Sequence, residues 1–362
     1  MNQTPLIQIH RAYKAKLVDF AGWLMPMQYT GVLDEYHAVR QGAGLFDVSH
    51  MGRIKVTGDY AVTFLQWIST NDVARLAVGQ AQYSMVCQEL GGILDDIFIY
   101  KTGPAEFLVC VNASNRIKIF EWFQRYQQAK FPQVAIRDQS EELAQLAIQG
   151  PSSQKLLKKV LGSAVDMLKP RQCLHLEKNG FSGLLSRTGY TGEIGYEWYL
   201  PAGEAQSAWE QLLQAGEGDQ VKPAGLGARD LLRLDVGYLL YGNDMDEQTT
   251  PLEAGAEWVV AWGKGLFQGQ PALLKQKEQG LTRRLVGFEL MERGVPRHDM
   301  GIVKDGETVG KVTSGNFSPI LQKGIGLGFL PPTLCNEGTL VDINIRGKRV
   351  PAKVVKPPFY KR

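Results

Sequence analysis

Long apolar runs are missing from this chain of 362 residues. No stretch approaches the ~20 residues that a bilayer span needs, which argues against a membrane protein. The N-terminus, MNQTPLIQIHRAYKAK, has no apolar segment ahead of a small-residue cleavage site, so a cytoplasmic location is expected. Neither sign of charge dominates. Lys and Arg number 40 against 37 Asp and Glu, a formal charge of +3 that is too close to balance for a dedicated nucleic-acid binder. Cysteine is scarce, and Cys87, Cys110, Cys173 and Cys335 lie far apart with no CxxC pair, as reduced, individually placed residues do. Cys87 and Cys110 sit in apolar surroundings, where a thiol behaves as a small hydrophobe, with redox or nucleophilic chemistry as the alternative. The five histidines (His10, His37, His50, His175, His298) form no short ligand motif, and no metal is expected. The dinucleotide fingerprint, the phosphate loop and the G-x-S-x-G nucleophile elbow are also missing. GIGLGFL has the wrong spacing for the first of these and lies in a strand-rich tail.

What is present is a globular composition, 44% hydrophobic in 40.2 kDa, with room for two or three domains. LDEYHAVRQGAG reads as a helix ending near Gly42. Strands follow in RIKVTG, YSMVCQ, ILDDIFIY and EFLVCVNA. A helix is expected in NRIKIFEWFQRYQQA, with Ile117, Phe120, Phe123 and Tyr126 near helical spacing. LAQLAIQG reads as a buried strand, AQSAWEQLLQAG and LGARDLLRLDVG as helices, and 265–284 as a polar linker. The remainder is short strands with Gly and Pro turns, a small all-β domain. Regular strand–helix alternation is lacking, which argues against a doubly wound or barrel α/β fold.

Three groups of polar residues interrupt these elements. In GGILDDIFIY, alternation sends Asp95 and Asp96 to opposite faces of one strand. If KTGPA is a five-residue link and Tyr100 pairs with Glu106, Asp96 falls opposite Cys110 and diagonal to Asn112, ~7–8 Å away. A four-residue ELGG link brings Tyr83 to that face, whereas a five-residue QELGG turns it away. The alternative is that both aspartates sit at an exposed edge and discourage sheet pairing. In SRTGYTGEIGYEWYL, Gly189, Gly192 and Gly195 permit tight turns, and Tyr190, Tyr196 and Glu197 supply flat faces and a bidentate acceptor. A carboxylate beside aromatic surfaces suits a planar heterocycle with amino and ring N–H donors; a hairpin with a solvent-facing Glu197 is the other reading. Arg229 and Arg233 share one helix face, with Arg229 near the helix start, where either an anion or an internal acid could pair with it. From Asp342 to Arg362 there are seven Lys or Arg and one acid, a solvated face or an attractor for an acidic partner.

In this order the pieces resemble the T-protein family of the glycine cleavage system, the folate-dependent aminomethyltransferases. The resemblance is carried by FAGWLMPMQY at 20–29, GLFDVSHMG at 44–52, GGILDDIFIY at 91–100 and LAIQGP at 146–151. It continues in RTGYTGEIGYE at 187–197, LGARDLLRLDVGYLLYGNDMD at 226–246, TTPLEAG at 249–255 and KVTSGNFSP at 311–319, and so spans nearly the whole chain.

The resemblance implies an α+β fold of three domains in a cloverleaf around a central folate cavity, ending in a small β-barrel-like domain. The implied division is 1–50 plus 138–245, then 51–137 plus 246–275, then 280–362. It implies transfer of a one-carbon unit from aminomethyl-dihydrolipoyl H-protein to tetrahydrofolate, with or without a polyglutamate tail, releasing ammonia and forming 5,10-methylenetetrahydrofolate. No metal, flavin or nicotinamide, no nucleic acid and no membrane are implied. Asp96 matches the family's catalytic acid and Glu197 its pterin-recognising glutamate. Met51, Tyr83, Asn112 and Tyr190 match the folate wall, Arg229 a cavity arginine and Tyr238 the same wall, and Arg362 matches a residue that closes the cavity or meets the carrier. No stretch resembles the flavin-binding half of the folate-binding oxidoreductases, so a stand-alone transferase is expected. RTGYTGEIGYE also lacks the cysteine of the iron–sulfur maturation relatives, whose stretch resembles KGCYxGQE.

Overall fold

Alternation at 196–199 decides how the first part of the chain packs. In the computed structural model, which describes residues 1–362, Tyr196, Trp198 and Leu200 enter a core with Leu146, Ile148, Leu157 and Trp209, while Glu197 and Tyr199 turn to the opposite face. Their strand, Gly195–Pro201, lies in a six-stranded sheet between Phe181–Ser186 and Leu143–Gln149. Helices Ser153–Leu161 and Ala205–Ala215 supply the other half of that core.

A five-stranded sheet runs Ala81–Cys87, Ile93–Gly103, Glu106–Val111, Gly52–Thr57, Ala135–Asp138. Tyr100, Leu108 and Cys110 from this sheet pack with Leu184, Tyr199 and Cys173 from the six-stranded one, and Met51 and Phe98 lie against the cluster.

Contacts divide the chain into one unit of Met1–Gln66, Asp72–Ser84 and Ile97–Asp230, and a second of Trp67–Asn71, Met85–Asp96 and Leu231–Arg362. The second unit holds a closed six-stranded barrel in the order Arg284–Leu290, Lys323–Leu330, Glu307–Ser318, Gly301–Lys304, Leu340–Ile345, Lys348–Val355. Val286, Phe288, Leu290, Ile343, Val350 and Val354 fill its interior. The glycines of GIGLGFL are packing residues. A Cβ on Gly326 would lie 2.4 Å from the Phe288 ring, and one on Gly328 2.6 Å from Ile302. No helix is long and apolar enough to cross a membrane.

Four expectations change. The hairpin pairs Phe98 with Cys110 and Gly103 with Glu106, so Asp96 is not opposite Cys110; the strand continues to Gly103, which shortens the link, with a one-residue bulge between Lys101 and Gly103. The shift is two residues, and an even shift preserves the faces. The aspartates do not mark a sheet edge either, because Ile93–Gly103 lies between two strands and Asp95 is 0% exposed. In the helix Arg116–Lys130 the buried residues are Ile119, Phe123 and Tyr126, whereas Ile117 is 59% exposed. A steady three-residue step drifts around a 3.6-residue helix, so only part of that series stays on the core side. The expected linker contains the helix Gln270–Gln279, whose buried residues are only Gln270 and Leu273, too few for an apolar stripe.

Candidate functional site

Glu197 is the best-held polar residue of the first unit. Thr188 Oγ1 donates to its Oε2 at 2.6 Å and Gln145 Nε2 to its Oε1 at 3.1 Å. Tyr100 Oη stands 3.5 Å from the same carboxylate, and Tyr199 Oη donates to Tyr100 at 3.0 Å while accepting from Gln145 at 3.1 Å. Ser186 closes the ring, 2.7 Å from Thr188. Burial pushes both phenols well above their usual value and Glu197 adds to this, so Tyr100 and Tyr199 stay protonated. Glu197 therefore does not face open solvent as a bare hairpin residue would.

The glycine loop before it is pinned from two sides. Gln149 donates to the carbonyls of Thr188 (3.3 Å) and Tyr196 (3.2 Å) and accepts from Thr191 Oγ1 at 3.0 Å. Arg40 forms a buried ion pair with Glu193 at 2.9 Å and donates to the Thr191 carbonyl. This holds Tyr190 under the Arg229 guanidinium, 4.8 Å from the ring centroid. Burial lowers the Arg229 pKa while Glu197 and Tyr190 support its charge, and its Nη1 is buried without a hydrogen-bond partner in the protein. A Cβ on Gly189 would lie 2.0 Å from Gln149 Oε1. Gly189→Ala is therefore expected to cost about 1–3 kcal/mol by forcing that side chain aside, read by thermal unfolding; an unchanged midpoint would mean the loop adapts freely.

The Ser49–Met51 loop is fixed by charge. Arg53, fully buried, donates to the carbonyls of Ser49, Met51, Ser140 and Leu143. Burial would raise the Asp47 pKa, but His10, Thr4 and Ser49 outweigh it and hold the carboxyl at about 2. Next to them, burial drives His50 down to about 3, so its ring is neutral.

Tyr83 meets Phe98 at 6.3 Å between ring centroids and so shares its face, although the strand ends Cys87 and Ile93 leave the longer, five-residue QELGG between them. Asn112 directly follows the Glu106–Val111 strand. In the second unit, Asp96 is partly buried on the Ile93–Gly103 strand and Asp95 fully buried. Tyr238 is 42% exposed, and Arg362 is the exposed chain end.

Known proteins match this chain along its whole length. Residues 6–264 match the GCVT N-terminal domain and 283–361 the glycine cleavage T-protein C-terminal barrel domain. The chain belongs to the glycine cleavage T-protein family. Among its relatives, an aminomethyltransferase of Halothermothrix orenii is 47% identical over 359 residues, covering 99% of this chain and 100% of its own. One from Desulfitobacterium hafniense is 45% identical over 362 residues, covering 100% of this chain and 99% of its own. The crystal structure of the glycine cleavage system aminomethyltransferase T from Bartonella henselae superposes with a TM-score of 0.93 at 34% identity, covering 99% of this chain and 98% of that one.

Within this T-protein fold, Met51, Tyr83, Asn112, Tyr190, Glu197 and Arg229 fall in the first unit, and Asp96, Tyr238 and Arg362 in the second. Arg229 and Arg233 part company despite their shared helix face. Arg233 takes the internal acid, Asp244, at 2.9 Å. Sequence reasoning missed Gln145, Thr188, Tyr100 and Tyr199. Tyr199 was reachable by alternation from Glu197, but Gln145 needs the register that pairs it with Tyr199. Cys110 stays a packing residue, its thiol pushed up to about 12 by burial.

Proposed function

We infer that this chain is a tetrahydrofolate-dependent aminomethyltransferase of the glycine cleavage system, acting in the cytoplasm. It takes the one-carbon unit from an aminomethyl group on the dihydrolipoyl arm of an H-protein. In the reaction the bond from carbon to ammonia nitrogen and the bond from carbon to the carrier sulfur break. Two carbon–nitrogen bonds to the folate form, giving 5,10-methylenetetrahydrofolate; the two folate N–H protons leave with ammonia and the carrier thiol. The same reading keeps the division into 1–50 with 138–245, 51–137 with 246–275, and 280–362.

The observation that carries the reading is Glu197, gripped by Thr188 and Gln145 beside two protonated phenols. A carboxylate held this way accepts from an amino group and an adjacent ring N–H, the edge a pterin presents. Tyr190, under Arg229, and Tyr83 offer flat faces to a ring, with Met51 and Asn112 completing the wall. Arg229 is a donor for an acceptor on the ligand, and Tyr238 and Arg362 are assigned to the folate's remaining contacts. Asp96 is the catalytic carboxylate. It orients the attacking folate amine and stabilises positive charge on the carbon as ammonia leaves.

Glu197→Gln replaces half of the acceptor edge with a donor. Losing one charge-assisted hydrogen bond, about 1.5–3 kcal/mol, is expected to raise KM for tetrahydrofolate about 10- to 150-fold with a smaller change in kcat. Steady-state titration at saturating carrier reads this, and an unchanged KM would remove Glu197 from the binding site.

A further inference from the structure

The start of the Ile93–Gly103 strand is tied to the segment after the Leu226–Asp235 helix, and the ties lie within the second unit. Ile93 N donates to the Thr249 carbonyl at 2.9 Å, and Tyr241 Oη donates to the Ile93 carbonyl at 3.1 Å. Both backbone groups of Ile93 are thus satisfied by residues 241–249. Gln88 Nε2 reaches the Glu247 carbonyl at 2.7 Å, and Gly92 passes so close that a Cβ there would lie 1.9 Å from the same oxygen. Tyr241 is partly buried. Burial raises its pKa, and Glu247, Asp95, Asp246 and Asp96 raise it further, so the phenol sits in the field of both strand aspartates and keeps its proton.

We propose that Tyr241 is a positioning residue for Asp96: by holding the Ile93 carbonyl, three residues upstream, it sets where the Asp96 carboxylate stands. In this role the Tyr241 hydroxyl acts as a strut for the strand start. Without it the Ile93 carbonyl loses its partner and the strand start is free to relax. A displacement of about 1 Å at a reacting group costs up to about a hundredfold in rate.

This inference rests on Asp96 carrying the transfer, and the experiment separates the two claims. Tyr241→Phe removes only the hydroxyl. With aminomethylated H-protein and tetrahydrofolate, kcat is expected to fall about tenfold, with KM for tetrahydrofolate unchanged and the unfolding midpoint lowered by no more than one lost hydrogen bond. On an Asp96→Asn background the same substitution is expected to cost nothing further. An unchanged kcat in Tyr241→Phe overturns the proposal, as does a loss of stability with kcat and KM worsening in parallel, the pattern of a merely structural residue. If Asp96→Asn itself keeps the wild-type rate, the reading of Asp96 fails. If Asp96→Asn is slow and Tyr241→Phe is not, only the role of Tyr241 fails.

Discussion

Asp96→Asn is expected to slow aminomethyl transfer by about 10²- to 10⁴-fold, the range lost with a positioned proton-handling group, while tetrahydrofolate still binds. The substitution preserves shape and removes charge. An amide cannot offset positive charge developing at the carbon, nor hold the folate amine with a charged acceptor. Binding is expected to survive because the ring contacts assigned here are carried by other residues, Glu197, Tyr190, Arg229 and Tyr83. Single-turnover transfer from aminomethylated H-protein, alongside direct titration with tetrahydrofolate, reads the two separately. A variant that transfers at the wild-type rate would show the carboxylate to be dispensable.

The second large effect is on stability. Arg233 and Asp244 form an ion pair at 2.9 Å with side chains 2% and 0% exposed. Arg233 also donates to Ser314 Oγ at 2.8 Å and to the Tyr238 carbonyl at 3.1 Å. Asp244 accepts from Thr313 Oγ1 at 2.6 Å and from Leu240 N at 2.9 Å. The pair thus ties a helix end and the following loop to a barrel strand within the second unit. Removing one partner of a buried pair strands the other, so Arg233→Met is expected to lose about 3–5 kcal/mol. The double variant with Asp244→Leu, which removes both charges, is expected to recover part of that loss. Urea unfolding checks both, and a double variant worse than the single by the full value of a second loss would contradict the account.

Sequence pattern exposed the site where a short period does the work. Two-residue alternation sets Glu197 on the face opposite Tyr196 and Trp198, so Tyr196, grouped with Glu197 as a flat face in the sequence, instead packs in the core. The same rule split Asp95 from Asp96, the first fully buried and the second partly so. What stayed hidden depends on register or on distant chain. The strand runs on to Gly103, and with a one-residue bulge at Lys101–Gly103 the hairpin pairing stands two residues from the expected one; bulges leave no dependable mark in composition. Gln145 reaches Glu197 across 52 positions, and Arg40 meets Glu193 across 153. No local window holds both partners of either pair. The choice of Asp244 by Arg233, with Arg229 stacked on Tyr190, likewise follows from packing around one helix and not from their four-residue spacing. The family resemblance supplied the roles that the residues alone left open, above all for Asp96.

The most direct test of the account is ammonia release from aminomethylated H-protein by the wild-type chain, with and without tetrahydrofolate. Release is expected to require tetrahydrofolate and to yield one 5,10-methylenetetrahydrofolate per ammonia. Tetrahydrofolate that binds but leaves release at the background rate would contradict it.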